Sequence, residues 1–203
     1  MTKTNKFGTK ELCLLGLMAA IVVLMSATPL GYLKIGTLSV SLLMIPVSIA
    51  AIALGPVGGA IIGAVFGFTS FAQCFGADPF GTALASYNIV ATFASCVLAR
   101  VLAGAGAGFV FKLLSKKTND YVAYPVTGIV AALLNTLFFM GSLVLFFGNT
   151  PEVAGWKGDL NFFAFLVVAV GINMIIEPVA AGLVTAGVGT ALNKAKFIGV
   201  NAA

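Results

Sequence analysis

The chain has 203 residues, of which 60% are hydrophobic and 8% are charged, whereas roughly a quarter of the residues in an ordinary soluble domain are charged. No Asp, Glu, Lys or Arg occurs in residues 35–77, 79–99 or 121–151. This composition excludes a soluble globular fold and predicts membrane helices, each of which needs about 20 apolar residues. Because the chain contains no His, a Ser-His-Asp triad is excluded and a metalloenzyme is not expected.

The net charge of +5 comes from Lys and Arg residues that lie beside hydrophobic runs. A basic patch interleaved with aromatic residues is absent from the sequence, so we expect contact with membrane lipid and not with nucleic acid. Cys13, Cys74 and Cys96 lie in separate hydrophobic runs without metal-ligand spacing. We interpret them as small buried residues and expect neither a metal nor a cofactor.

The first predicted helix covers residues 10–28. Lys residues precede its apolar run, as in a secretory signal peptide, and the small side chains around Ser26 would suit cleavage. We favour an uncleaved helix, because the run is long for a signal core and further hydrophobic spans follow. Pro29 and Gly31 end this helix.

Five further helices are predicted at residues 37–54, 56–72, 83–114, 123–147 and 161–192. The Gly55-Pro56 pair makes so short a turn that the second and third helices should form an antiparallel hairpin. We expect the fourth helix to be split or kinked near Gly104, Gly106 and Gly108. Because lipid offers no hydrogen bonds to an open backbone, the sequence predicts an all-α domain, a bundle of six transmembrane helices.

Lysine positions predict the orientation of this bundle. Eight lysines fall on one side: Lys3, Lys6, Lys10, Lys112, Lys116, Lys117, Lys194 and Lys196. The opposite side holds Lys34 and Lys157. The positive-inside rule therefore places both termini in the cytoplasm, which requires an even number of crossings.

Small residues mark two helix faces where another backbone could approach closely. They recur at every fourth position of the third helix, at Gly55, Gly59, Gly63 and Gly67. This stripe could dock a partner, but we favour packing within the bundle. The first helix carries Gly16, Ala19 and Ala20 on an otherwise bulky apolar surface.

Arg100 and Glu177 are the ionisable residues placed deep within predicted spans. A charge in hydrocarbon costs at least about 2.5 kcal/mol unless it finds a partner or a polar cavity. We favour a buried ion pair between the two residues. The alternative is that Arg100 binds the carboxylate of an anionic ligand.

Uncharged polar residues are the best candidates for substrate binding. Gln73 and Asn88 flank the connection between the third and fourth helices, Asn135 and Thr136 lie in the fifth helix, and Asn173 lies in the sixth. Amides bind a neutral polar ligand without the desolvation cost of a charge. The same groups could instead hydrogen-bond neighbouring helices together.

Several segments of the chain resemble the substrate-binding S components of energy-coupling factor (ECF) vitamin transporters. They are LGPVGG at 54–59, IGAVFG at 62–67, ARVLAG at 99–104, NTLF at 135–138 and NMIIE at 173–177. The segments FAQCFG at 71–76 and FGTAL at 80–84 are most similar to the pantothenate-specific members.

This resemblance implies a six-helix subunit of a prokaryotic cell membrane that captures a vitamin at its outer face. The resemblance also implies its partners, a transmembrane coupling subunit and two cytoplasmic ATPases. Because the chain has no phosphate loop of its own, we expect ATP to be hydrolysed by those partners. The resemblance implies docking of the coupling subunit at Gly16 and Ala20, and it favours Asn88, Asn135 and Asn173 over Arg100 as ligand contacts. We do not expect an enzyme.

Other functions stay open at this point. The chain could bind a different vitamin, such as pyridoxine or hydroxymethylpyrimidine, folate or riboflavin. A membrane enzyme would need a clustered nucleophile and base or a metal site, and the sequence has neither. A membrane protein without a transport function would bind no vitamin.

Overall fold

A computed structural model describes residues 8–29, 31–34, 39–171 and 173–195 of the chain. This part contains eight helices and a short antiparallel pair of strands. In chain order the elements are α1 (Thr9–Ser26), β1 (Tyr32–Lys34), β2 (Ser39–Ser41), α2 (Met44–Gln73), α3 (Pro79–Tyr87), α4 (Ile89–Leu114), α5 (Asp120–Phe147), α6 (Pro151–Lys157), α7 (Phe162–Val170) and α8 (Asn173–Lys194).

Five helices in the described part are long and apolar enough to cross a membrane, namely α1, α2, α4, α5 and α8. The prediction of a helical membrane protein is therefore confirmed. The count of six crossings and the orientation of the termini stay predictions.

Helix α2 reverses direction at Gly55, where φ is 71°, a left-handed value that favours glycine. A Cβ atom added to Gly59 would lie 2.9 Å from the Cβ atom of Ala51. In a continuous helix these two positions, eight residues apart, would be separated by about 12 Å. The segments 44–54 and 56–73 therefore pack against each other as the antiparallel hairpin that the sequence predicts.

The structure corrects three of the predicted helices. The second helix begins at Met44 and not at residue 37, because Ser39–Ser41 pairs with Tyr32–Lys34 as a strand. The predicted helix 83–114 is interrupted at Asn88, whose extended backbone separates α3 from α4. Its glycines do not break it, and α4 stays helical through Gly104, Gly106 and Gly108.

The third correction concerns the predicted sixth helix, residues 161–192. It divides into α7 and α8 at Gly171, where φ is 51°. The predicted loop 148–160 contains the short helix α6. Breaks of this kind follow from local backbone geometry at glycine, which an apolar run does not reveal.

Glycines make the contact between α2 and α4 unusually close. A Cβ atom on Gly59 would overlap the carbonyl oxygen of Gly104, and one on Gly63 would overlap that of Arg100. A Cβ atom on Gly67 would lie 2.7 Å from Cα of Val97. Gly59, Gly63 and Gly67 of the stripe thus pack inside the protein, which is the interpretation that the sequence favours, whereas Gly55 is the turn residue of the hairpin.

Two hydrogen bonds define the ends of the bundle. The side-chain amide of Gln73 donates to the carbonyl oxygen of Ser26 at 2.8 Å, where α1 and α2 end. At the opposite end, the Asn193 amide donates to Asp120 at 2.9 Å, where α8 ends and α5 begins. We call these the Gln73 end and the Asp120 end. Helix α1 begins and α8 ends at the Asp120 end.

Candidate functional site

A small cavity of about 70 Å³ lies beside the break between α7 and α8. Helix α5 supplies one wall, and the end of α7 and the start of α8 supply the others. Its lining residues are Asn135, Thr136, Phe139, Met140, Val170, Asn173 and Glu177. Three of the five residues predicted to bind substrate, Asn135, Thr136 and Asn173, are therefore brought together.

Three of the polar residues of this cavity are deeply buried. Asn135 is 6% exposed, Asn173 is 3% exposed and Glu177 is 6% exposed. The Oδ1 atom of Asn135 is buried without a hydrogen-bond partner among the described residues. A buried acceptor without a partner costs about 1–3 kcal/mol, so it is complementary to a ligand that donates a hydrogen bond.

Glu177 links the cavity to the strand pair. Its carboxylate accepts a hydrogen bond from the backbone N–H of Ser41 at 2.6 Å. Ser41 is the last residue of β2, so the strand pair packs over the beginning of α8. This contact joins residues 136 positions apart in the chain.

Arg100 is buried near the same cavity, but it does not form the ion pair with Glu177 that the sequence predicts. Its Nη1 atom donates to the carbonyl oxygen of Ser95 at 2.9 Å. Its guanidinium carbon lies 4.5 Å from the ring centroid of Phe139 and 5.2 Å from that of Phe66. Cation–π contacts and a backbone acceptor take the place of a carboxylate.

The Nε atom of Arg100 is also buried without a hydrogen-bond partner in the described structure. Phe139 connects the two features, because its ring contacts the guanidinium and also lines the cavity. Among the described residues, this buried guanidinium has a free Nε donor and no carboxylate partner, which suits the binding of an anionic group.

Tyr32 of β1 lies on the other side of this region, with its ring centroid 6.5 Å from that of Phe66. Burial raises the pKa of the Tyr32 phenol to about 12. The phenol therefore stays neutral at physiological pH, although Arg100 opposes the shift.

Gln73 and Asn88 do not line the cavity in this structure. Gln73 holds the end of α1 through Ser26, as described above. Asn88 is exposed and caps α4, because its Oδ1 atom accepts from the backbone N–H groups of Val90 and Ala91 at 3.1 and 3.0 Å. Asn is among the preferred residues at this position.

The small residues of α1 lie on the outside of the described bundle. Gly16 and Ala20 are exposed, Ala19 is partly buried, and a Cβ atom on Gly16 would meet no atom within 4 Å. The structure thus leaves the predicted docking face open.

A larger open groove of about 440 Å³ lies at the Asp120 end. Polar residues line it, including Thr118, Asn119, Thr190 and Asn193. It contains none of the predicted substrate-binding residues.

Sequence reasoning missed one contact of the predicted polar groups. The backbone N–H of Ser41 donates to Glu177, and a backbone group leaves no signal in the residue type. The structure also singles out Phe139 among the 17 phenylalanines of the chain, because its ring contacts Arg100 and lines the cavity.

The fold and the site together define a class of protein. Helices with apolar exposed surfaces form a small cavity that buried polar side chains line, as expected for a multi-pass membrane protein that binds a small molecule.

The model of the family "ECF transporter, substrate-specific component" matches residues 10–189. Because this match covers most of the chain, the protein belongs to that family, and the resemblance seen in its motifs is confirmed at this level. No curated protein matches the chain significantly. The protein is thus a multi-pass substrate-binding transporter subunit and not an enzyme, with a vitamin-type substrate and ECF transmembrane and ATPase partners.

Proposed function

We propose that the chain captures pantothenate in the cavity between α5, α7 and α8, for import by its partner subunits. The observation that carries this proposal is the convergence of Asn135, Thr136 and Asn173 on one small cavity, with Arg100 close by. Six crossings with both termini in a prokaryotic cytoplasm are part of the proposal.

The chemistry of pantothenate matches the groups around this cavity. The vitamin carries a carboxylate at one end and an amide and two hydroxyls along its length. Asn135 and Glu177 present oxygen acceptors for such donors. Arg100 supplies the complementary cation, because Glu177 does not neutralise it by direct contact.

The cavity must widen to hold a whole vitamin. Its volume of about 70 Å³ is far below the roughly 300 Å³ or more of typical ligand pockets. We propose that Phe139 moves on binding, since its ring contacts Arg100 and lines the cavity. A rotation of this side chain would open the guanidinium to the ligand.

Lysine positions support the proposed orientation. Lys10, Lys112 and Lys194 lie at the beginning of α1 and at the ends of α4 and α8, which is the Asp120 end. Under the positive-inside rule this end faces the cytoplasm. The open Gly16 and Ala20 face of α1 is the proposed contact with the coupling subunit.

Calorimetry on the purified full chain in detergent tests the ligand. We expect saturable pantothenate binding without ATP, and at least about tenfold weaker binding of pantothenol, in which an alcohol replaces the carboxylate. A hydrogen bond to a charged group is worth about 1.5–3 kcal/mol, and each 1.4 kcal/mol is about a factor of ten.

Two variants on α4 show whether Arg100 causes this preference. Arg100→Met should bind pantothenate and pantothenol with similar, weak affinity. Lys112→Met removes an exposed cation from the last turn of the same helix and should keep the preference. Saturable binding of pyridoxine, folate or riboflavin, with no heat from pantothenate, would show that the ligand is another vitamin.

A further inference from the structure

Two buried thiols face each other between α2 and α4, outside the cavity described above. The Sγ atoms of Cys74 and Cys96 lie 4.0 Å apart, and each residue is 4% exposed. Cys74 is the residue that follows the last turn of α2, at the Gln73 end, and Cys96 lies within α4. Neither thiol is required for the proposed binding of a vitamin.

Weak hydrogen bonds and close packing surround the two thiols. The Cys74 thiol donates to the carbonyl oxygen of Ser70 at 3.5 Å, and the Ser70 hydroxyl donates to Cys96 Sγ at 3.9 Å. A Cβ atom on Gly81 would lie 2.6 Å from Cys74 Sγ. Glycine at that position of α3 therefore leaves the space that the thiol occupies.

We propose that Cys74 and Cys96 are a modification site, at which a peroxide converts the two thiols into an intramolecular disulfide. A disulfide requires the sulfurs to approach to about 2 Å. Each sulfur can move by rotation about its Cα–Cβ bond, and Cys74 lies beyond the last residue of α2. Ordinary side-chain motion can therefore supply the remaining approach.

The reaction proceeds in two steps. Cys96 Sγ, which accepts from the Ser70 hydroxyl, attacks one oxygen of hydrogen peroxide after losing its proton, which yields a sulfenic acid and water. Cys74 Sγ then attacks the sulfenic sulfur, and the remaining oxygen leaves as a second water with the Cys74 thiol proton. Two electrons pass from the thiols to the peroxide.

The location of the pair suits such a reaction. In the proposed orientation the Gln73 end faces the outside of the cell, where disulfides form and persist. The bridge would close a loop that contains the whole of α3, and would tie the end of α2 to the outer half of α4.

Peptide mass spectrometry on the purified full chain tests the proposal. The protein carrying Cys13→Ala is treated with hydrogen peroxide, unfolded, and alkylated with N-ethylmaleimide before digestion without reductant. We expect a linked peptide that joins Cys74 to Cys96, loss of both maleimide adducts, and recovery of both adducts after dithiothreitol. The Cys13 substitution excludes linkage through the exposed third thiol.

Two further variants control for the chemistry. In Cys74→Ala, Cys96 lacks its partner, so dimedone should trap it as a sulfenic acid. In Cys96→Ala, Cys74 should be trapped more slowly under the same conditions. The proposal is overturned if both thiols stay fully alkylatable after peroxide, or if each becomes a separate sulfinic acid without a linked peptide.

Discussion

The α2–α4 interface and the cavity beside α8 use buried space in opposite ways. At the interface, Gly59 and Gly104 let two backbones touch, and no side chain separates them. At the cavity, Asn135 and Glu177 are buried beside an unfilled volume. The first region gains packing attraction in the way close-packed membrane helices do, whereas the second keeps polar groups that a ligand can satisfy.

This difference indicates that the two regions have different roles, one in folding and the other in binding. The α2–α4 pair is a close-packed scaffold, because the space between its backbones has no room for an added side chain. The cavity wall is interrupted at Gly171 and connected to the strand pair by the Glu177–Ser41 hydrogen bond. We therefore expect substitutions in the scaffold to affect folding, and substitutions at the cavity to affect binding.

The largest effect is expected from Gly59→Ala. The added methyl group would overlap the carbonyl oxygen of Gly104, and overpacking of this kind costs about 1–3 kcal/mol or more. Thermal unfolding and size-exclusion chromatography should show a strongly destabilised or aggregated protein. Gly141→Ala is the control, because a Cβ atom there meets no atom within 4 Å. Equal stability of the two variants would contradict a close-packed scaffold.

The second prediction concerns the open face of α1. Gly16→Leu combined with Ala20→Leu should leave folding and vitamin binding intact but abolish uptake, because added side chains hold a partner helix away. Uptake in cells and co-purification with the coupling subunit and ATPases measure this effect. Gly187→Leu enlarges another open glycine, on α8, and should leave uptake unchanged. Normal uptake by the double variant would place the docking face elsewhere.

Asn135→Leu should weaken vitamin binding by roughly tenfold, since a hydrogen bond lost from a ligand costs about 0.5–1.5 kcal/mol and an unsatisfied partner adds to this. Calorimetry on the purified protein measures the change. Thr127→Val removes a buried hydroxyl from the same helix, where it donates to the backbone carbonyl oxygen of Ala123, and should keep the affinity. If Asn135→Leu binds as tightly as Thr127→Val, Asn135 serves helix packing.

The smallest effect is expected at Asn88, which the structure assigns to capping. Asn88→Ala should lower stability by about 1 kcal/mol, because α4 loses its cap, while vitamin affinity stays the same. Asn88→Asp keeps a capping oxygen and should restore most of the stability. A large loss of vitamin affinity in Asn88→Asp, with normal stability, would show that Asn88 contributes to the binding site.

The helical membrane class, the hairpin at Gly55 and the glycine stripe could all be predicted from the sequence. Each of them depends on local or periodic features. A charge-free run of sufficient length must be helical in lipid, and small residues four positions apart lie on one helix face. The family followed from short motifs such as ARVLAG at 99–104, and the family match confirms it.

The interruptions within helices could not be predicted from the sequence. Asn88 and Gly171 interrupt helices within long apolar runs, because a cap and a left-handed glycine change the backbone without changing the hydropathy. The strand pair of β1 and β2 was not predicted either, since apolar runs alone do not distinguish short strands from helices.

Sequence by itself determined that this protein spans a membrane, that glycines let its helices approach closely, and that it belongs among ECF substrate-binding subunits. Tertiary structure alone decided which polar residues share a cavity, because the packing of α5 against α8 sets which distant positions meet. Asn135 and Asn173 line the same cavity there. Glu177 accepts a hydrogen bond from a strand N–H, and the Arg100 guanidinium packs against aromatic rings. A buried charge must find some partner, but only the three-dimensional packing selects which one.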